Sequence, residues 1–345
     1  MKLASLEVIK SIKEHPNADA LEIAQVLGWQ TIVKKGEFKE GDKIIFIVID
    51  TILPKADWSE FLADKKDPEK SILLRTIKLR GEYSQGLVLP LSVLYGNTFA
   101  ASTWQIGADV GAELGVKKYE KELPASLSGE IAGTFPAYIV SQTDEDNGLS
   151  NPDLVAEVLK HPITITKKYD GSSCTIVVEN GEITHVCSRR LSLKESASNA
   201  FWHVARKLTI PEGWSGVIQG ECMGPGIQGN QLKLMEATLY VYQIRDENGY
   251  YDWFRMSWFC GNNLNCNFVP LVETSTKFLQ VQGSDREKKF TLDDLIEIAD
   301  KQTLDNEIDD KGVPAEGIVV RPADYRASGI GRPLGFKIIN RNFKD

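Results

Sequence analysis

The sequence predicts an α+β chain: a small β-barrel first, then a larger domain of antiparallel sheets with flanking helices. Residues from about Leu3 to Leu94 are dense in short β-like runs separated by glycines and charges. Beyond Ser126, hairpin signals alternate with apolar residues at helical spacing. A chain of 345 residues, 42% hydrophobic and 26% charged, is long enough for two cores.

The barrel strands are expected at Ile32-Val33, Ile44 to Ile49, Leu73-Leu74 with Ile77, and Leu87 to Leu91. Gly28, Gly36, Gly41, Gly81 and Gly86 fall where a closed five-stranded barrel needs its turns, although an open sandwich gives similar spacing. A barrel of the oligonucleotide-binding (OB) type is the expected form. The run from His15-Pro16-Asn17 to Glu22, followed by Gly41-Asp42, is similar to the opening of tRNA-binding barrels attached to some aminoacyl-tRNA synthetases. His15 itself reads as a turn residue before Pro16, not as a ligand or catalyst.

Tyr95 to Ser150 reads as a linker, rich in Gly, Ala, Ser and Thr, with Pro124, Pro136 and the acidic tract Asp144-Glu145-Asp146. The expected domains are residues 1–125 and 126–345. In the second, Thr175 to Val178 should turn at Asn180-Gly181 into Ile183 to Cys187 as a hairpin. Ser196 to Leu208 carries apolar residues at helical spacing, with Phe201 and Trp202 packing the core. Strands follow at Val217 to Cys222 and Leu239 to Ile244, then a turn at Asn248-Gly249. A helix capped by Thr291 covers Leu292 to Ala299, and the last strands are Gly317 to Val320 and Leu334 to Ile339. Gly224 to Gly229 matches Gly-x-Gly-x-x-Gly literally. That dinucleotide fingerprint is rejected, because Pro225, Asn230 and Gln231 favour irregular chain where it requires a helix start.

Composition narrows the function classes. The sequence has no sustained apolar run at Met1-Lys2-Leu3-Ala4-Ser5 and none long enough to span a bilayer, so secretion and membrane insertion are disfavoured. Cys174, Cys187, Cys222, Cys260 and Cys266 are scattered singly, as free thiols of a reducing cytoplasm would be. No histidine pair completes a zinc site around Cys260 and Cys266. The formal charge of -8 describes the whole chain and not any one groove. Basic clusters at Arg75, Lys78 and Arg80, at Arg189, Arg190 and Lys194, and at Arg321, Arg326, Arg332, Lys337 and Arg341 fit a cleft for polyphosphate or nucleic-acid backbone.

Lys168 opens the run Lys168-Tyr169-Asp170-Gly171 between two apolar stretches. An amine whose pKa is lowered can attack phosphorus and hold a nucleotide as a phosphoramidate. Lys-x-Asp-Gly alone is common, and a surface strand ending in an Asp-Gly turn would look the same. Gly220-Glu221, Glu316-Gly317 and Phe336-Lys337 decide between them, each at the edge of an expected strand. Nucleotidyl transfer needs a cation at the α-phosphate, a metal over the leaving pyrophosphate and carboxylates to hold that metal. This chain can supply each.

The ordered set Lys168-x-Asp170-Gly171, Arg189, Glu221, Tyr240 to Ile244, Glu316-Gly317 and Lys337 resembles the covalent nucleotidyltransferase superfamily of ligases and capping enzymes. Among these the pattern is most similar to ATP-dependent RNA ligases of the Naegleria type, which place an OB barrel first. Further family-like text stands at Ser188-Arg189, Glu195 to Ala200, Gln219-Gly220-Glu221, Ile227 to Asn230, Leu79-Arg80-Gly81 and Ser84 to Leu87. The resemblance implies an ATP-grasp-like nucleotidyltransferase domain behind the barrel. Lys168 would attack the α-phosphorus of ATP, AMP would pass to an RNA 5′-phosphate, and a 3′-hydroxyl would displace it. Lys337 would neutralise the α-phosphate; Arg189 would contact ribose or phosphate; Tyr242 would stack on adenine unless Tyr240 does. Asp170, Glu221 and Glu316 would hold Mg2+ or Mn2+ largely through water, with Glu221 and Glu316 also reaching the nucleotide. That ion would mask carboxylates that otherwise keep Lys168 protonated. RNA ends are the implied partner, and the protein is expected to act as a monomer in the cytoplasm.

Two departures stand out. Such ligases have a basic residue before Thr-Asp and an arginine shortly after, where this chain has Gln142-Thr143-Asp144 and Asn147. Barrel residues such as Arg80 could compensate, or loading with ATP could be slow and pre-adenylated ends favoured. The stretch between Glu316 and Lys337, with Arg326 and Arg332, is also longer than in the family. Alternatives are a DNA ligase or capping guanylyltransferase, whose barrel usually follows the catalytic domain, and a non-catalytic RNA-binding protein, which would not need Lys168 and Lys337.

Overall fold

The structure, a computed structural model, describes residues 2–64, 67, 70–94, 105–119, 130–275, 289–304, 312–325 and 333–344. Arg326, Arg332, Pro124 and the boundary expected at Ser126 lie outside the described residues. Two compact units result: Met1–Glu122 with Leu149–Pro152, and Leu123–Gly148 with Asp153–Asp345.

The first unit is built on the long strand Ala4–Glu14. Its first half pairs with Lys43–Ile47 and its second half with Leu21–Val26, with a register shift between Ile9 and Ser11. The extra residue bends the strand, so one strand serves both directions of a curling sheet. Trp29–Lys34 pairs with Leu21–Val26, and Leu87–Pro90 with Lys43–Ile47. The free edges then meet: Gln85 N–H donates to Gln30 O at 2.8 Å, and Ile32 N–H to Ser84 Oγ at 3.0 Å. The result is the closed OB-type barrel that the sequence predicts. Gly86 has φ +84°, and a Cβ there would lie 2.6 Å from Ile47 O, so only glycine allows this closure.

Over its described residues, the stretch Tyr95 to Ser150 expected as a linker is packed structure. Val110, Leu114 and Val116 are buried with Ile45, Ile47, Leu53 and Leu89, and Lys117–Lys118 pairs with Thr51–Leu53. The small residues that suggested loop surround apolar anchors spaced too widely to register as a periodic run. His15 occupies the turn expected of it, buried with Nε2 3.0 Å from Leu79 O.

The second unit holds two main sheets and a two-stranded ribbon in which Thr303–Leu304 pairs with Val313–Pro314. In the larger, neighbours run Ile131–Thr134, Leu191–Leu193, Glu182–Cys187, Ser172–Glu179, Gly216–Met223, Thr238–Asp246 and Gly249–Tyr250. The smaller runs Asp146–Asn147, Phe336–Ile339, Gly317–Pro322, Ile163–Lys168 and Leu271–Thr274. Pairing is antiparallel except where Asp146–Asn147 meets Phe336–Ile339 and Asn267–Phe268 meets Thr238–Asp246. The second exception follows from a crossover through the helix Trp253–Phe259, which the sequence reading missed along with Pro152–Val158. One core packs Ile176, Val178, Ile218, Val241 and Ile244 against Phe201, Trp202 and Met256; the other packs Ile163, Ile165, Ile318, Val320 and Phe336 against Leu295 and Ala299.

Local chemistry sets the element ends. Asn180 (φ +51°) and Gly181 (φ +85°) form the expected hairpin turn. Thr291 and Asp294 form a capping box on Leu292–Asp300. The helix expected from Ser196 starts only at Ala200, because the Asn199 side chain accepts from the N–H groups of Phe201 and Trp202 and fixes the N-terminus there. After Gly216–Met223 no helix begins, and Gly226 sits in a turn with φ +76°, so the dinucleotide reading fails on structure as well.

Candidate active site

Ile163–Lys168 belongs to the smaller sheet and Ser172–Glu179 to the larger, so Tyr169-Asp170-Gly171 is the crossing between them. Gly171 is required at that crossing. A Cβ there would lie 2.6 Å from Cys222 O and 2.9 Å from Glu221 Cγ. With glycine in place, Gly171 N–H donates to Glu221 Oε1 at 3.0 Å and Gly171 O accepts from Gln228 Nε2 at 3.1 Å.

Lys168 ends its strand opposite Gly317, which sets Glu316 beside it, and the two side chains form an ion pair. Their side chains are only 21% and 18% exposed. Burial disfavours the ammonium form of Lys168, but Glu316, Glu221 and Asp170 together hold its pKa above the ordinary lysine range. Burial, with Glu316 and Asp170 adding like charge, pushes Glu221 up to about 7, against the opposing pull of Lys168 and the Gly171 N–H. Lys168, Asp170, Glu221 and Glu316 are thus brought into one electrostatic cluster.

Lys337 lies mid-strand in Phe336–Ile339, opposite Val319 on one side and Asn147 on the other. Asp144 Oδ1 is 3.4 Å from Lys337 Nζ, and Asp144 Oδ2 is 2.6 Å from Arg189 Nη2. One carboxylate therefore bridges the two cations. Tyr242 is tied to the same segment, its hydroxyl 2.6 Å from Thr143 Oγ1 and 3.2 Å from Ser173 Oγ. Burial raises its phenol pKa further above the ordinary value, with Glu221 and Glu145 adding to the shift. The Tyr240 ring instead packs on Tyr169, with centroids 4.9 Å apart.

The sequence reading set Thr143 and Asp144 at a departure from the family pattern but gave neither a role, and it left Glu145 in a linker. Glu145 pairs with the buried Arg321, whose Nη1 also donates to Tyr242 O at 3.4 Å and whose guanidinium lies 5.5 Å from the Tyr325 ring. The available signal was three consecutive acids in a segment otherwise of small residues. Gln142 lines a shallow pocket with Thr143, Asp144, Glu145, Gln243 and Tyr250, and Asn147 is buried.

Among the described residues, no three His, Cys, Asp or Glu side chains converge closely enough to cage a bare metal ion. The carboxylates around Lys168 suit a hydrated divalent ion, since Mg2+ keeps several waters and needs few protein ligands. Burial is the first cause of the raised pKa of Glu221, and the like charge of Glu316 and Asp170 that adds to it is what such an ion would offset. Chemically, the site presents a partly buried amine, acids able to hold a hydrated ion, and two cations bridged by Asp144, Lys337 on a strand and Arg189 in the bend between two strands.

Residues 3–91 match an OB-fold domain family, and residues 161–339 match the RNA ligase family. No curated protein matches the chain. The solved structure of Naegleria gruberi RNA ligase with PPi is 29% identical, covers 99% of this chain and 97% of its own, and superposes with a TM-score of 0.77. A mutant of that N. gruberi ligase with ATP and Mn is 30% identical, with the same 99% and 97% coverage and a TM-score of 0.78. Another mutant, with AMP and Mn, is 29% identical with a TM-score of 0.79, again covering 99% and 97%.

Proposed function

This chain belongs to the RNA ligase family, and on that premise we propose that it joins RNA 3′-hydroxyl and 5′-phosphate ends with ATP, through AMP held on Lys168. The observation that carries the reading is the partly buried Lys168 amine set against Glu316 and Glu221 where the two sheets meet. The N. gruberi ligase structures with ATP, AMP and PPi support the choice of nucleotide.

Neutral Lys168 Nζ attacks the α-phosphorus of ATP; a P–N bond forms, the P–O bond to pyrophosphate breaks, and the amine's proton is lost. An oxygen of the RNA 5′-phosphate then attacks the same phosphorus and returns the electron pair to Lys168. Finally the RNA 3′-hydroxyl attacks the 5′-phosphorus, AMP leaves, and the strand is closed. Lys337 neutralises charge building on the α-phosphate. Arg189 contacts ribose or phosphate once it leaves Asp144. Tyr242 offers its ring to adenine, a role that suits it better than Tyr240, whose ring is already engaged by Tyr169. Asp170, Glu221 and Glu316 hold the water shell of Mg2+ or Mn2+, with Glu221 and Glu316 also within reach of the nucleotide. When bound, such an ion supplies positive charge that offsets these carboxylates and lowers the proton affinity of Lys168.

The partners are broken or nicked RNA ends. No helix of the described residues is long and apolar enough to cross a membrane. Action as a monomer in the cytoplasm is part of the proposal, and the five free cysteines fit a reducing compartment. Incubation with labelled ATP or GTP and magnesium, then with RNA and DNA nicks bearing 3′-hydroxyl and 5′-phosphate, tests it. Covalent label from ATP and sealing of RNA are expected, whereas labelling by GTP alone would overturn the reading.

A further inference from the structure

In OB barrels a ligand usually lies across strands two and three, between the loop joining strands one and two and the loop joining strands four and five. In this barrel those two loops are bonded to each other. The second of them carries the hairpin Ile77–Leu79 and Glu82–Ser84, whose strands pair only with one another. Asn17 N–H donates to His15 Nδ1 at 3.1 Å, which makes His15 Nε2 the donor to Leu79 O at 3.0 Å. Asn17 Nδ2 donates to Arg80 O at 3.0 Å. The hairpin also lies over the third strand, with Gln30 Nε2 donating to Tyr83 O at 3.0 Å and Ser84 Oγ accepting from Ile32 N–H. The loops that flank the groove are thus tied to each other and to the third strand by the chain itself.

The pleat of the hairpin turns Ser84 inward, so Tyr83 and its cross-strand partner Lys78 face out. Lys78 Nζ stands 4.3 Å from the Tyr83 ring centroid. At the tip, Arg80 (φ +52°) and Gly81 (φ +98°) form a two-residue turn whose first position favours Asn or Gly, so an arginine is held there in a conformation that costs energy. Among the described residues no carboxylate pairs with Lys78 or Arg80, in contrast to Lys168, Arg189, Arg321, Lys337 and Arg341. A second cation–ring pair, Arg75 over Tyr119 at 5.7 Å, lies three residues before Lys78, next to Lys117 and Lys118.

We propose that RNA docks on the outer face of this latched hairpin and not in the barrel groove: phosphates on Lys78 and Arg80, a base against Tyr83, with Arg75 and Tyr119 continuing the track. Stacking rings beside Lys78 and Arg80, which no carboxylate among the described residues pairs with, are what a single strand needs. The proposal rests on the RNA ligase reading for its ligand, while His15 and Asn17 act as positioning residues that hold the tip.

Binding of a fluorescent nicked RNA duplex, measured by anisotropy over a range of salt, tests it alongside covalent AMP formation from ATP. The double variant Lys78→Glu/Arg80→Glu should bind RNA about tenfold or more weaker, with the slope of log affinity against log salt reduced by about two, and the single variant Lys78→Glu should bind weaker with the slope reduced by about one while loading AMP as the wild type does. Tyr83→Ala should weaken binding with the salt slope unchanged. Lys34→Glu, on the third barrel strand, should bind normally. Wild-type binding by the double variant, or weakening by Lys34→Glu in its place, would overturn the docking face. Failure of the wild type to take up AMP would count against the ligase reading alone, because the binding measurement still decides where RNA sits.

Discussion

Asp144 lies between Arg189 and Lys337, with one carboxylate oxygen on each. Both cations are proposed contacts for the nucleotide, and a phosphate arriving there must displace this carboxylate. Asp144→Asn should therefore lower the KM for ATP in covalent AMP formation by up to about fivefold, the range expected of a half-exposed ion pair. A higher KM, measured under steady-state labelling, would mean that Asp144 holds the two cations in place for the nucleotide.

Lys168→Ala should abolish covalent AMP while leaving the sealing of pre-adenylated RNA. It also leaves Glu316 and Glu221 buried without their cation, so a lower melting temperature is expected, with the circular dichroism of the native sheets retained. Covalent AMP on the variant, detected by mass spectrometry, would assign the nucleophile elsewhere.

The carboxylates around Lys168 hold its pKa above the usual lysine value of about 10.4, and only the neutral amine attacks. Single-turnover AMP loading should consequently rise with pH from about 6 to 9, close to tenfold per unit where loading is limited by deprotonation. More magnesium should move the profile to lower pH. A flat profile across that range would show that deprotonation of Lys168 does not limit the step.

Glu221 is pushed up to about 7. The folded protein then binds a proton that the unfolded chain releases near pH 4.5, so this contribution to stability is complete below that pH and is lost as pH rises through 7. Without divalent ions, Glu221→Gln should flatten the fall in melting temperature between those pH values, as read by calorimetry. Magnesium should stabilise the wild type more at pH 8 than at about pH 5, where a protonated Glu221 holds it poorly.

Tyr242→Phe removes a hydroxyl shared with Thr143 and Ser173 but keeps the ring. AMP loading should fall less than about threefold for Phe and more than about tenfold for Ala, if the ring supplies most of the adenine contact. Equal losses in both, measured as loading rates at saturating ATP, would assign the work to the hydroxyl.

Lys168, Glu221, Glu316 and Lys337 are legible in the sequence because each stands in or beside a strand within an ordered series, and strand alternation makes such positions readable one strand at a time. Asp144 and Glu145 are not, since their importance comes from Arg189, Arg321 and Lys337, which reach them only through folding. The barrel strands show the same limit. Ile44 to Ile49 announces itself by composition, whereas the closure at Gln30, Ser84 and Gln85 joins edges that no local pattern marks. Helix Ala200–Arg206 begins late because one side-chain cap outweighs apolar spacing.

The strand Phe336–Ile339 fills the gap between Asp146–Asn147 and Gly317–Pro322, and its Lys337 meets Asp144 across 193 residues of chain. Such a contact closes a long loop, whose entropy cost is paid before the contact returns anything. Lys337, the cation proposed for the α-phosphate, thus meets Asp144 only when distant parts of the chain have come together. Half-folded forms would carry the amine without its counterpart, so nucleotide binding favours the finished sheet over every earlier intermediate.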